Sequence, residues 1–208
     1  MMFIDELEKT YGAGVPIFAE EIIKLFSGYT RAYVFRMIKS AEVSGQLVPF
    51  SRGVYYIPRK TFFGQSSLCS EMVAEKKYIK NAESVYGVYA GLNLLNQFGL
   101  TTQVPNKLEI VTNNESTRKR RITIEGRDYI LRKARCEITK DNYPSYTILQ
   151  LFNDMSGDDV PDEFARSRIL DYIKANSISA DNLFSMSGVF PASALKKMVG
   201  SGVLNGIV

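Results

Sequence analysis

Between residues 28 and 57 the sequence "GYTRAYVFRMIKSAEVSGQLVPFSRGVYYI" changes its apolar period inside one short stretch, and an all-helical or all-strand fold cannot accommodate both halves. Before Ser44, Val34, Ile38 and Ala41 recur at three- and four-residue spacing, which puts them on one stripe of a helix. After Gly45, Leu47–Phe50 and Val54–Ile57 are short apolar runs on either side of "SRG", the pattern of a two-stranded hairpin. Thr30 carries the hydroxyl that can cap the helix start, and Gly45 suits the left-handed position that ends it. The stretch predicts helix then hairpin, and with it an α+β fold.

The same reasoning extends outward. Helical spacing runs over Met2–Tyr11, closed by Gly12-Ala-Gly, and again over about Ala19–Phe26, with the turn Ser27-Gly28-Tyr29 before the capped helix. Residues 1–60 are therefore expected to form a winged helix-turn-helix DNA-binding domain, closed by Pro58. The segment "RKTFFGQSS" interrupts both periodicities and marks a boundary near residues 60–66, and Phe62, Phe63, Leu68 and Met72 there could join two domains or form an interface. Residues 61–208 are expected to form a mixed α/β domain. Helical spacing appears in "SSLCSEMVAEKKYIK" and "YGVYAGLNLLNQFG"; strands are expected over "KLEIVTN", "RRITIE" and "RDYILRKAR", the last two joined through Gly126. From about residue 141 the chain turns helical and acidic, in "PSYTILQLFNDM", "DEFARSRILDYIKAN" and "PASALKKMV".

Charge is distributed unevenly around a modest net +4. Residues 24–60 hold seven Lys and Arg against the single acid Glu42, and residues 118–135 hold eight against Glu125 and Asp128. Clustered cations set a local potential that suits a polyanionic partner. With Val34, Ile38 and Ala41 turned inward, the opposite face of the third helix presents Tyr29, Ala32, Tyr33, Arg36 and Lys39, with Thr30 and Arg31 at its N-terminal end and Arg52 at the hairpin tip. Arg pairs bidentately with guanine or phosphate, while Lys and Tyr fix register on phosphates. Tyr29, Thr30, Arg31, Tyr33, Arg36, Lys39 and Arg52 are thus the candidate DNA-binding residues. The second island, with Arg118, Lys119, Arg120, Arg121, Arg127 and Arg132, suits either a second nucleic-acid surface or a charged strand edge that discourages sheet aggregation.

Other chemistries find little to work with. Histidine is absent, which removes His-based triads and His metal ligands. A restriction-type nuclease needs an Asp before Glu-x-Lys, and the lone Glu75–Lys77 has no Asp between Asp5 and Asp128. The acids Asp158, Asp159, Asp162 and Glu163 open a helix, where they favour its dipole. Neither "YGVYAG" nor "GAG" has the setting of a phosphate loop. We expect no enzyme activity, cofactor or metal site. Cys69 and Cys136 read as thiols of a reducing compartment, and no apolar run is long enough to span a membrane, so a cytoplasmic location is expected.

Two stretches carry a resemblance. "SGQLVPFSRGVYYIP" resembles the wing of winged-helix domains in the AbiEi family of antitoxins, from abortive-infection type IV toxin–antitoxin systems. "YGVYAGLNLLNQFGLTTQVPNKLEIVTNN" is similar to the stretch after that domain, where a helix carrying "LNLL" leads into "LTTQVP" and a strand. The likeness covers about residues 1–140. It implies a repressor that binds the promoter of its own operon as double-stranded DNA and counters a nucleotidyltransferase-like toxin, with or without a stable complex. It places DNA reading on Thr30, Arg31, Tyr33, Arg36 and Arg52. The alternative is a protein-interaction module that binds a toxin directly, without DNA.

Overall fold

In the computed structural model, which describes residues 3–62, 64–157 and 159–206, the chain divides into two compact units, Met1–Ala74 and Glu75–Val208. Met2, Phe63 and Asp158 lie outside the described residues. The architecture is α+β.

The first unit begins with α1 (Phe3–Tyr11), a short strand β1 (Ile17–Phe18), α2 (Ala19–Leu25) and α3 (Arg31–Val43). Strands β2 (Val48–Ser51) and β3 (Val54–Tyr56) form the hairpin, followed by a two-residue-per-strand ribbon, β4 (Lys60–Thr61) and β5 (Gly64–Gln65). Lys60–Thr61 and Gly64–Gln65 thus pair inside the first unit. Burial of Val34, Ile38 and Ala41 against Leu7, Ile17, Ile22 and Leu47 is what selects the helical period in α3. Gly45 sits at φ +72°, the left-handed conformation that a side chain would resist.

One element was missed. Ile17–Phe18 pairs antiparallel with β3, Ile17 opposite Tyr55 and Phe18 opposite Val54, giving the sheet order β1-β3-β2. Two residues are too few to show a period, and their partner lies nearly forty residues on. The Glu21 side chain turns the chain from β1 into α2 by accepting the Phe18 N–H at 2.7 Å. At the next helix, Thr30 Oγ1 accepts the Tyr33 N–H at 3.3 Å. That bond is long and exposed, so Thr30→Ala is expected to lower stability of the first unit by roughly 0.5–1 kcal/mol, the lower part of the range for such caps, measurable by urea unfolding.

Helix α4 (Ser70–Tyr78) straddles the limit between the units, and the second unit then holds β6 (Gly87–Ala90), α5 (Gly91–Gln97), β7 (Leu108–Thr112), β8 (Arg120–Ile124) and β9 (Arg127–Lys133). The sheet order is β6-β7-β9-β8, with β7 and β9 parallel and the other pairs antiparallel. Glu125 and Gly126 both take positive φ, 44° and 78°, the mirror-image turn that matches strand twist. Helices α6 (Tyr143–Asp154), α7 (Glu163–Ala175), α8 (Ala180–Ser187) and α9 (Ala192–Gly200) follow, with a final 3₁₀ turn at Val203–Gly206.

Two differences from expectation have clear causes. The run "YGVYAGLNLLNQFG" is not one helix: its first part is β6, paired with β7, and only Gly91–Gln97 is helical. Val88 and Ala90 face the same core as Leu94, so strand and helix residues together mimic a helical period. Gly87 passes so close to the Tyr78 carbonyl that no Cβ would fit there. The acidic C-terminal part is also built around an apolar interior. Ser145–Phe152 of α6 are all buried, and Tyr146, Ile148, Leu149, Leu151 and Phe152 share one core with Val111, Ile169, Leu183 and Met198, whereas Asp162, Glu163, Asp171 and Asp181 stay outside. Asp162 caps α7, accepting the Ala165 N–H at 2.8 Å. Among the described residues no helix is long and apolar enough to cross a membrane.

Candidate nucleic-acid interface

The buried stripe of α3 forces its remaining residues outward. Arg31, Ala32, Tyr33, Phe35, Arg36 and Lys39 are all exposed, as are Tyr29 and Thr30 before them and Arg52 in the β2–β3 turn. Tyr29 and Tyr33 stack with ring centres 5.2 Å apart, and the Arg36 guanidinium lies 5.3 Å over the Tyr33 ring. Arg31 lies 5.5 Å over Phe35 and reaches Glu20 on α2 at 3.3 Å. Lys39 reaches Glu42 at 3.0 Å. These stacks hold long cationic side chains against the helix without burying their heads.

The ion pairs do not close this face. Arg31 and Glu20 are 62% and 75% exposed, and pairs so wet contribute only about 0–1 kcal/mol, so an incoming phosphate can replace the carboxylate. Arg52 is placed from two sides. Val54 pairs across with Ser51 at the end of the hairpin, and the Gly53 carbonyl accepts the Ala19 N–H at 2.9 Å. The turn is therefore tied to the start of α2. All seven expected DNA-binding residues lie on this exposed stretch from the α2–α3 turn to the hairpin tip.

The second island does not stay together. Arg120 pairs with the buried Glu115 at 2.7 Å and Arg121 with Asp128 at 2.9 Å. Arg127, at the start of β9, is half-buried and partnered. Arg132 is half-buried, donating to both Asp154 oxygens at 3.2 Å, with its Nε 3.5 Å from Glu109. Arg118 and Lys119 remain exposed in the loop entering β8. They line a groove of about 650 Å³ with Arg132 and with Lys133, Arg135, Gln150 and Asn153, four residues that sequence reasoning did not single out. A lone amide inside the apolar run "YTILQLF" was the available signal for Gln150.

Glu115 organises the loop above that groove. Its carboxylate accepts from Ser116 N and Thr117 N at 2.9 Å, from Thr117 Oγ1 at 2.8 Å and from Arg120 Nε. Burial pushes this carboxyl up, but the Thr117 hydrogen bonds and Arg120 together outweigh it and hold it below the usual glutamate range. A carboxyl depressed in the folded state stabilises fully above its unfolded pKa, and that contribution is lost as pH falls through the folded value. Glu115→Gln is expected to lower stability at neutral pH and to flatten the loss of stability below about pH 4, read from urea midpoints across a pH series.

Among the described residues no three Cys, Asp or Glu side chains gather as metal ligands, and Cys69 and Cys136 are separate thiols. Burial pushes the Cys136 thiol up, away from the reactive thiolate form.

As a class, then, this is an α+β chain with a cationic helix-and-turn face in one unit and a cationic groove in the other. The chain belongs to DUF6088, a family of unknown function whose profile matches residues 4–180 and so takes in both features. No curated protein matches the chain.

Proposed function

We propose that the first unit is a winged helix-turn-helix that reads double-stranded DNA, with α3 in the major groove and Arg52 on the neighbouring backbone or minor groove. The observation that carries it is the outward face of α3, where Arg31, Arg36 and Lys39 stand exposed on a helix with no acid in its first turn and Arg52 stands exposed beyond it. Arg side chains stacked on Phe35 and Tyr33 lose less freedom on binding than unsupported ones. The resemblance to AbiEi antitoxins supports the wider reading. In it the chain is a cytoplasmic, non-enzymatic antitoxin of a type IV system that represses its own operon and counters a nucleotidyltransferase-like toxin.

The test is an electrophoretic shift of the DNA upstream of its own gene against unrelated duplex, across a salt series. The expected result is specific binding whose logarithm falls linearly with the logarithm of salt concentration. Absence of any shift at moderate salt overturns the DNA reading.

A second reading has its own support. Tyr29, just before α3, and Tyr33 and Phe35 on it are 57%, 41% and 39% exposed, and aromatics with Arg are enriched where proteins dock. In this reading the unit binds a toxin directly. A toxin complex that survives high salt, from a chain without DNA affinity, selects it.

A further inference from the structure

We infer that the groove of the second unit is a binding site for a compact polyphosphate anion, independent of whether the first unit reads DNA. Five cations line it: Arg118 and Lys119 from the loop before β8, Arg132 and Lys133 from β9, and Arg135 just beyond. No carboxylate is among its lining residues. Asp154 and Glu109, which do not line it, fix Arg132. Arg118, Lys119 and Lys133 have no ion-pair partner among the described residues. So many cations around one opening repel each other unless an anion joins them. Their summed charge matches a di- or triphosphate rather than a single carboxylate.

The floor supplies the second observation. Gln150 on α6 is 2% exposed and lines the groove, and the buried Nε of Arg132, which also lines it, has no hydrogen-bond partner among the described residues. A buried donor without a hydrogen bond costs stability, of the kind that an oxygen-rich ligand restores. The volume, about 650 Å³, falls within the range of small-molecule sites. A duplex backbone lies along an outer surface and does not reach a recessed amide, which favours a small anion. Free pyrophosphate and the polyphosphate end of a nucleotide share the chemistry required.

The test is calorimetric titration of the full chain with pyrophosphate, with ADP, and with sulfate at matched ionic strength. Saturable one-to-one binding of pyrophosphate is expected, at least tenfold tighter than sulfate. It should weaken at least tenfold in Lys119→Ala/Lys133→Ala, which touches only exposed side chains, and in Gln150→Met, which keeps volume and removes the amide. ADP binding tighter than pyrophosphate assigns the site to nucleotides; the reverse assigns it to the free anion. Should Gln150→Met fail to fold, the lysine pair decides. Undetectable binding, equal binding of sulfate, or binding unchanged in the lysine variant overturns the proposal. So does complete displacement by a short duplex whose own affinity falls in the same variant, which makes the groove a nucleic-acid contact.

Discussion

Arg31→Ala/Arg36→Ala is expected to bind its upstream duplex at least about 30-fold more weakly than wild type. Each Arg lost from a bidentate base contact removes about 1–3 kcal/mol of discrimination, and about 1.4 kcal/mol is tenfold in affinity. The pattern of loss says what each side chain does. If both read bases, the decrease is confined to the specific site and random duplex is bound as before. If both grip phosphates, all sequences weaken together and the salt slope falls by roughly two. Folding should not confuse the result. Arg31 makes a solvated pair with Glu20 and lies over the exposed Phe35 ring, and Arg36 lies on the exposed Tyr33 ring, so the thermal midpoint should barely move. Undiminished binding by this variant removes α3 from the interface.

Tyr146→Ala should have the largest effect on stability, about 3–5 kcal/mol by denaturant unfolding. Tyr146 is fully buried on α6, its ring meets Phe190 edge-on at 5.0 Å, and its hydroxyl accepts the Arg135 N–H at 3.0 Å. Truncation leaves a cavity between α6 and the Phe190 segment and frees the strand end that carries Arg135. Tyr146→Phe separates the two contributions. It keeps the ring contact, removes one hydrogen bond, and is expected to cost about 1–2 kcal/mol. Burial pushes the Tyr146 hydroxyl up, so it stays protonated and the loss should be the same from neutral to mildly alkaline pH. A Tyr146→Ala variant as stable as Tyr146→Phe would mean that the core closes around the gap.

How much was legible depended on whether the deciding interaction was local. The capped α3, its inward stripe, Gly45 and the turn through Gly126 depend on residues within a few positions of each other, and all appear where the spacing put them. Strand β1 did not appear, because its only justification is β3, far along the chain. Strand β6 was hidden for a related reason: a short apolar run obeys either period, and what chooses strand is pairing with β7. Helix α8 also went unread, although Ser179 and Asn182 form a reciprocal cap at its start. Its core-facing residues Leu183 and Met186 are too few to establish a period, and Phe184 between them faces out. The second basic island shows the limit for charge. Composition counts cations but not their partners, and Glu115, Asp128 and Asp154 absorb Arg120, Arg121 and Arg132 through tertiary contacts.

The tether between Gly53 and Ala19, with β1 laid along β3, has a mechanical outcome. Hairpin tip and helix pair move as one stiff piece, because the tip is fastened at its root to the first turn of α2. Whatever engages Arg36 and Arg52 together meets a span already set before contact. Complexation then immobilises side-chain rotamers, at about 0.5–1.5 kcal/mol each, and leaves the main chain as it was.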